Sequence, residues 1–251
     1  VLGGLAYLTL AGAPPLYAAV NSGALAIAAC WIALGREPAS LPVRRALCLV
    51  LLAVLFLPLL TGPELNHVAR WLPLGPVTLH AGMLAVPALV VLGSQDDDYA
   101  MPILLGAVFA ALLQPDAATG FALTFACAGL HHVTRDWRIG LACIAGFFAS
   151  IAMHLHGEIA PQLFVERVLA DLILHNPLGA AALFLSLLAG FLLMLHRAPQ
   201  DRAGRFALAG SLFGFSTTAI MANYPSALIG YGASPILGYG LALGLRRRPD
   251  L

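Results

Sequence analysis

The sequence contains no lysine, so all thirteen of its basic residues are arginine. We read that absence as a compositional bias of the source rather than a functional choice. Charge of either sign is scarce: 10% of the 251 residues are charged, against roughly 25% in a soluble domain. That is too little to coat a globule of this size in water. A lipid-facing surface removes the requirement, and 60% hydrophobic residues point the same way. Twelve acids against thirteen arginines leave a net charge of +1, which gives no electrostatic case for binding nucleic acid. Cysteine is sparse too. Cys30, Cys48, Cys127 and Cys143 sit in apolar runs without a CxxC pair, and they read as small buried hydrophobes rather than disulfide or metal ligands. No basic segment precedes the first apolar run, so no cleavable signal is expected.

What the chain has in abundance is apolar runs. A spanning helix needs about 20 apolar residues, and shorter runs are accommodated by tilt or local thinning. Residues 1–12 read as the end of a crossing, closed by Ala13-Pro14-Pro15. Further spans are expected at 16–34, 46–61, 77–93, 100–113, 117–130, 139–155, 180–196, 206–221 and 235–245. The expected fold is all-α, a polytopic transmembrane bundle of about nine to ten helices forming one integral domain over 1–251.

Arginine placement tests this parsing, because cytoplasmic loops carry the excess of basic residues. With the N-terminal side placed inside and the spans alternating, eleven arginines fall in inner loops: Arg36, Arg44, Arg45, Arg135, Arg138, Arg197, Arg202, Arg205, Arg246, Arg247 and Arg248. Two, Arg70 and Arg167, fall outside. Both the N-terminal side and the C-terminus are then cytoplasmic. Asp96, Asp97 and Asp98 make one inner loop acidic, but acids count little in the rule.

The outer side gathers Glu64, His67 and Arg70, then Gln114 and Asp116, then a loop over 156–179 with Glu158, Glu166, Arg167 and Asp171. Within that loop Phe164, Val168 and Ile173 alternate with charge at helical spacing, predicting an amphipathic helix in the interface with Pro161 near its start.

Four short motifs resemble those of the shape, elongation, division and sporulation (SEDS) family, the group of FtsW, RodA and SpoVE. Residues 69–76, Ala-Arg-Trp-Leu-Pro-Leu-Gly-Pro, resemble "GARRW-x-LGP". Gln114-Pro115-Asp116 with Thr119 resembles "QPDxGT", although Ala118 stands at its glycine. Residues 230–234, Gly-Tyr-Gly-Ala-Ser, resemble "SYGGSS", and 201–205, Asp-Arg-Ala-Gly-Arg, resemble "D-x-FGR". The four occur in the family's order across nearly the whole chain.

The departures matter as well. Where the family reads "FQPSELAK", residues 79–86 place Met83 and Val86 at the glutamate and lysine. Losing both members of a buried ion pair is tolerable where losing one is not. The family's "TDFI…EE" element aligns with residues 162–165 and Asp171, which puts Leu163 at the essential aspartate of a shortened loop.

The resemblance implies an inner-membrane protein of cell shape or division, related to peptidoglycan glycosyltransferases. Without the aspartate it implies a relative that binds a lipid carrier or a partner. The alternatives are an active transferase polymerising a polyprenyl-diphosphate-linked precursor and, further off, a small-solute transporter. Expected partners are the bilayer, a polyprenyl-linked precursor and a single-pass partner such as a transpeptidase. No cofactor is expected, and a divalent cation only if the protein is active.

Transfer to an acceptor hydroxyl would need a carboxylate as base and cations at the diphosphate. The catalytic candidates are Asp116, Asp171 and Glu166, and the candidate substrate contacts are Arg70, Gln114, Asp116, Thr119 and Tyr231. Each has a plainer reading. Asp116 caps the helix that begins at Ala117. Arg70 snorkels to headgroups, with Trp71 as interfacial anchor. Glu166 and Arg167 form a solvated helix face, and Tyr231 marks a tight helix entry among glycines. The pairs His131/His132 and His154/His156 lack the spacing of metal ligands and read as interfacial.

Overall fold

A computed structural model describes residues 1–66, 68–75, 77–157 and 159–246. His67, Pro76, Glu158, Arg247 and Arg248, which figure in the sequence reading, lie outside the described residues. Twelve helices and one two-stranded hairpin form among the described residues. They are α1 (Leu2–Leu10), α2 (Pro15–Leu34), α3 (Leu41–Phe56), α4 (Pro58–Thr61), β1 (Trp71–Leu74), β2 (Val77–His80), α5 (Ala81–Gly93), α6 (Ala100–Leu113), α7 (Ala117–Thr134), α8 (Trp137–His156), α9 (Val168–His175), α10 (Pro177–Arg197), α11 (Arg202–Met221) and α12 (Ala233–Gly244).

The chain is a multi-pass membrane protein, and its side-chain distribution is that of a bundle in lipid. Four helical segments, Pro15–Leu34, Leu41–Thr61, Trp137–His156 and Pro177–Arg197, are long and apolar enough to cross a bilayer. Large side chains such as Leu34, Leu60, Phe148, Leu155 and Leu193 stand exposed on these segments, as lipid contact requires. The interior belongs to α5, α7, α11 and α12. In α5, twelve of thirteen residues are buried, all but Leu84. Helix α7 packs most extensively against α11. Gly210 lies against the Phe125 carbonyl, Gly214 against that of Phe121 and Gly129 against that of Phe206, so the two backbones nearly touch.

The expected spans hold as helices, with corrections. The span expected over 77–93 begins as a strand: β1 and β2 pair antiparallel, Trp71 opposite His80 and Leu74 opposite Val77, and helix starts only at Ala81. Gly75, at φ +61°, makes the turn. The span expected over 46–61 begins five residues earlier, at Leu41, and the helix is interrupted at Leu57, before Pro58. The loop helix expected to start near Pro161 starts at Val168 instead, because Phe164 and Arg167 adopt left-handed backbone, at φ 65° and 53°.

The loops sort to two ends as the arginine bias demands. At the basic end Arg45 Nε donates to Asp96 at 2.7 Å, Arg44 reaches Glu37 at 2.9 Å, and Arg138 reaches Asp136 at 2.9 Å. The Arg45 guanidinium holds the Asp96 carboxyl below its ordinary range, and Arg138 does the same for Asp136. At the hairpin end, Gln114 Nε2 donates to the Leu55 carbonyl and the Asn21 side chain bonds both Gly230 and Gly232. The Ser226 N–H there meets the Val165 carbonyl. In helix α1, Gly3 lies against Ser186, halfway along α10, and Tyr7 meets Phe164 toward the hairpin end.

Candidate functional site

The hairpin turns Arg70 and His80 inward. Ala81 N–H bonds the Arg70 carbonyl at 3.1 Å, so the two residues sit side by side where the hairpin joins α5. His80 caps α5: its Nδ1 accepts the Met83 N–H at 3.3 Å, and its own N–H donates to Ser234 Oγ at 2.7 Å. With Nδ1 an acceptor, the neutral ring carries its proton on Nε2, which lies 3.5 Å from Asp116 Oδ2. Burial pushes the His80 pKa down to about 4; Asp116 opposes that shift and Arg70 adds to it.

Asp116 caps α7, the plainer of its two sequence readings. Its Oδ1 accepts the Thr119 N–H at 3.2 Å and its Oδ2 the Thr119 hydroxyl at 2.5 Å. The Tyr224 hydroxyl accepts the next free helix donor, the Ala117 N–H, at 3.2 Å. Asp116, Thr119 and Gln114 are all buried.

Arg70 is the exception to its sequence reading. It is 0% exposed, so it neither snorkels nor reaches a headgroup. Its guanidinium carbon lies 4.5 Å from the centre of the Tyr224 ring and 5.9 Å from that of Trp71. None of its side-chain nitrogens has a hydrogen-bond partner among the described residues. The left-handed residues of the 162–167 loop turn Glu166 inward as well. It is 5% exposed, not solvated, and its Oε2 accepts the Gln162 N–H at 2.9 Å. Burial raises its pKa; that hydrogen bond and the charge of Arg70 pull it back.

Asp171 stays outside this group, at the surface 3.7 Å from Arg167. The histidine pairs also lie elsewhere: His131 bonds the Asp136 carbonyl and His156 the Ala152 carbonyl. Among the described residues no cluster of three potential metal ligands forms.

In front of His80 opens a cavity of about 200 Å³, lined by Trp71, Thr78, His80, Met83, Gln162, Val165, Ser226, Tyr231 and Ser234, among others. Tyr231 is held face to face with Tyr17 at 3.8 Å. The described lining contains no arginine and no carboxylate. Arg70, Asp116 and Glu166 stand one layer behind it, and Leu163 is 73% exposed on the outside of its loop. A larger apolar recess of about 330 Å³ between α1 and α10 is lined chiefly by Gly3, Ala6, Leu10, Ala182 and Leu183, and brings few polar groups together.

Sequence reasoning missed His80, Tyr224 and the inward face of Glu166. The signal for His80 was a lone polar residue opening an apolar run, which is where a helix cap belongs. Tyr224 had none beyond its place in a polar loop.

The architecture defines a class, a polytopic helical membrane protein with a largely apolar cavity, bearing a few neutral polar groups, at one end. Its fold is that of RodA. The chain superposes on the rod shape determining protein RodA of Thermus thermophilus with a TM-score of 0.61 and 22% identity, covering 96% of this chain and 91% of that one. A point mutant of the same protein gives 0.62 and 21%, over the same shares. A chain of a peptidoglycan synthase complex described as coordinating polymerization and crosslinking gives 0.57 and 20%, again over 96% and 91%. No family model matches the sequence, and no curated protein does.

Proposed function

We propose that this chain is a divergent member of the SEDS group that binds a lipid-linked carrier or a membrane partner in the bacterial inner membrane without polymerising glycan. The basic end, with both the N-terminal side and the C-terminus directed to it, lies in the cytoplasm, in keeping with the arginine bias. The carrying observation is the character of the outer cavity. Its described walls are largely apolar and aromatic with a few neutral polar groups, among them Trp71, Tyr231, Met83, Val165, Gln162 and a neutral His80. Diphosphate departure needs cations at the leaving oxygens, and acceptor activation needs a base within hydrogen-bond reach. Arg70 is turned toward Tyr224 instead, and the residue aligned with the family's aspartate, Leu163, faces away.

Such a cavity suits an uncharged, hydroxyl-bearing group stacked on Trp71 or Tyr231, with Arg70, Gln114, Asp116 and Thr119 as its frame. Glu166 favours the second reading, an active transferase. It is a buried carboxyl with a raised pKa, one hydrogen bond from Gln162 in the cavity wall.

The test is incubation of purified protein with labelled polyprenyl-linked precursor. Binding that weakens in Trp71→Ala and Tyr231→Ala, with no glycan strands formed, is the expected result. Strands that form, and vanish on Glu166→Gln, Asp116→Ala or Asp171→Ala, would establish the active reading instead.

A further inference from the structure

Three of the nine described arginines of the basic end hold carboxylates; Arg36, Arg135, Arg246 and a cluster of three at the α10–α11 junction show no such pair among the described residues. Arg44, Arg45 and Arg138 each hold a carboxylate within 2.9 Å. Arg197, Arg202 and Arg205, at the junction of α10 and α11, hold none among the described residues. Three positive charges there face one carboxylate, Asp201, whose Oδ1 is engaged by the Gly204 N–H as the cap of α11. Arg205 Nη1 donates to the His196 carbonyl at 3.1 Å, tying the α11 start to the α10 end, while its Nε is buried without a hydrogen-bond partner. Arg202 and Arg197 are exposed. The Arg202 guanidinium lies 5.6 Å from the centre of the Phe206 ring, and His132 of α7 stacks on that ring at 5.3 Å.

Directly along the bundle from this patch runs an apolar seam. Two turns down α11, Phe213 is 47% exposed and meets Phe125 of α7 at 4.7 Å and Phe191 of α10 at 6.3 Å. An unneutralised cationic cluster at the rim of a bilayer-facing aromatic groove matches one chemistry, a phosphate headgroup continuous with acyl chains. Basic pockets between transmembrane helices take anionic lipids in this way.

We propose that Arg197, Arg202 and Arg205 form a binding site for the phosphate of an anionic membrane phospholipid whose acyl chains lie along the Phe206–Phe213 seam. Arg205 positions the loop, while Arg197 and Arg202 contact the headgroup. The site is at the opposite end of the bundle from the outer cavity and does not depend on what that cavity binds. It requires only that the chain sits in a membrane.

The test uses the full chain purified in uncharged detergent, titrated with phosphatidylglycerol or phosphatidylcholine, and read by native mass spectrometry and thermal unfolding. Phosphatidylglycerol should be retained selectively and should raise the unfolding temperature. Arg202→Gln alone should weaken its retention about fivefold, and Arg197→Gln with Arg202→Gln more than tenfold, at roughly one headgroup contact's worth each. Arg138→Gln, on the neutralised side, should leave retention unchanged. Soluble glycerol phosphate should give no stabilisation. Equal retention of both lipids, undiminished retention in the exposed Arg202→Gln variant, or equal stabilisation by glycerol phosphate would each overturn the assignment.

Discussion

Arg70 is completely buried, and its guanidinium lies over the ring of Tyr224, with no carboxylate of the described residues paired to it. A desolvated cation over an aromatic face contributes about 2 kcal/mol. The same tyrosine accepts the first amide of α7, so one side chain joins the hairpin to the 114–117 turn. Tyr224→Phe keeps the ring and removes the acceptor, and should cost about 1 kcal/mol. Tyr224→Leu removes both and should cost roughly 2 kcal/mol more. Denaturant unfolding in detergent measures the difference, and equal losses would show that the ring contributes nothing.

Asp116 caps α7 with both carboxylate oxygens. Asp116→Asn keeps an acceptor for the Thr119 amide, whereas Asp116→Ala keeps neither bond. The alanine variant should lose about 1 kcal/mol or more from the cap, and the asparagine variant less. Circular dichroism melts of the two variants check the order.

His80 sets a pH dependence. Its ordinary value of 6.5 falls to about 4 in the folded protein. Between those values the unfolded chain binds more protons than the folded one, so stability falls as pH falls through that window. Glu166 acts in the opposite sense: its raised pKa lets the folded state hold a proton the unfolded state releases. The informative quantity is therefore the difference between the wild type and His80→Gln. Relative to the wild type, the variant should gain stability as pH falls from about 6.5 to 4, because it lacks the His80 contribution that is lost there. Parallel profiles would mean that His80 titrates normally.

At the α7–α11 seam a methyl group on Gly210 would overlap the Phe125 carbonyl, a backbone atom that cannot move aside alone. Gly210→Ala should cost about 1–3 kcal/mol or more, as overpacking does in a closed core. Gly190→Ala, on α10 where a methyl group meets no neighbour, is the matched control and should be neutral or slightly stabilising. Parallel melts of the two proteins decide it.

Much of the architecture was legible because lipid imposes a simple code. Run lengths placed the helices, and the arginine bias assigned their loops to two ends, which the Arg45–Asp96 and Arg138–Asp136 pairs and the Asn21 and Gln114 bonds then occupy as separate clusters. The hairpin escaped because residues 77–80, Val-Thr-Leu-His, alternate over only four positions before running straight into the apolar residues of α5. The sequence Gly75-Pro76 was the available turn signal. The site was harder to read, because Arg70 beside Trp71 and Glu166 beside Arg167 both have the composition of an interface. Their burial depends on tertiary partners: Tyr224 lies more than 150 positions from Arg70, and the left-handed residues Phe164 and Arg167 turn a local segment inside out.

Helix α5 is thirteen residues long, about 20 Å at 1.5 Å per residue, against a hydrocarbon layer of about 30 Å. Enclosed by its neighbours, it never has to bridge that layer by itself. For biogenesis this means a segment too short to be threaded into the bilayer as an independent unit. It is expected to take its place together with the later helices α7, α11 and α12, so that integration into the membrane and tertiary assembly become a single event for this part of the chain.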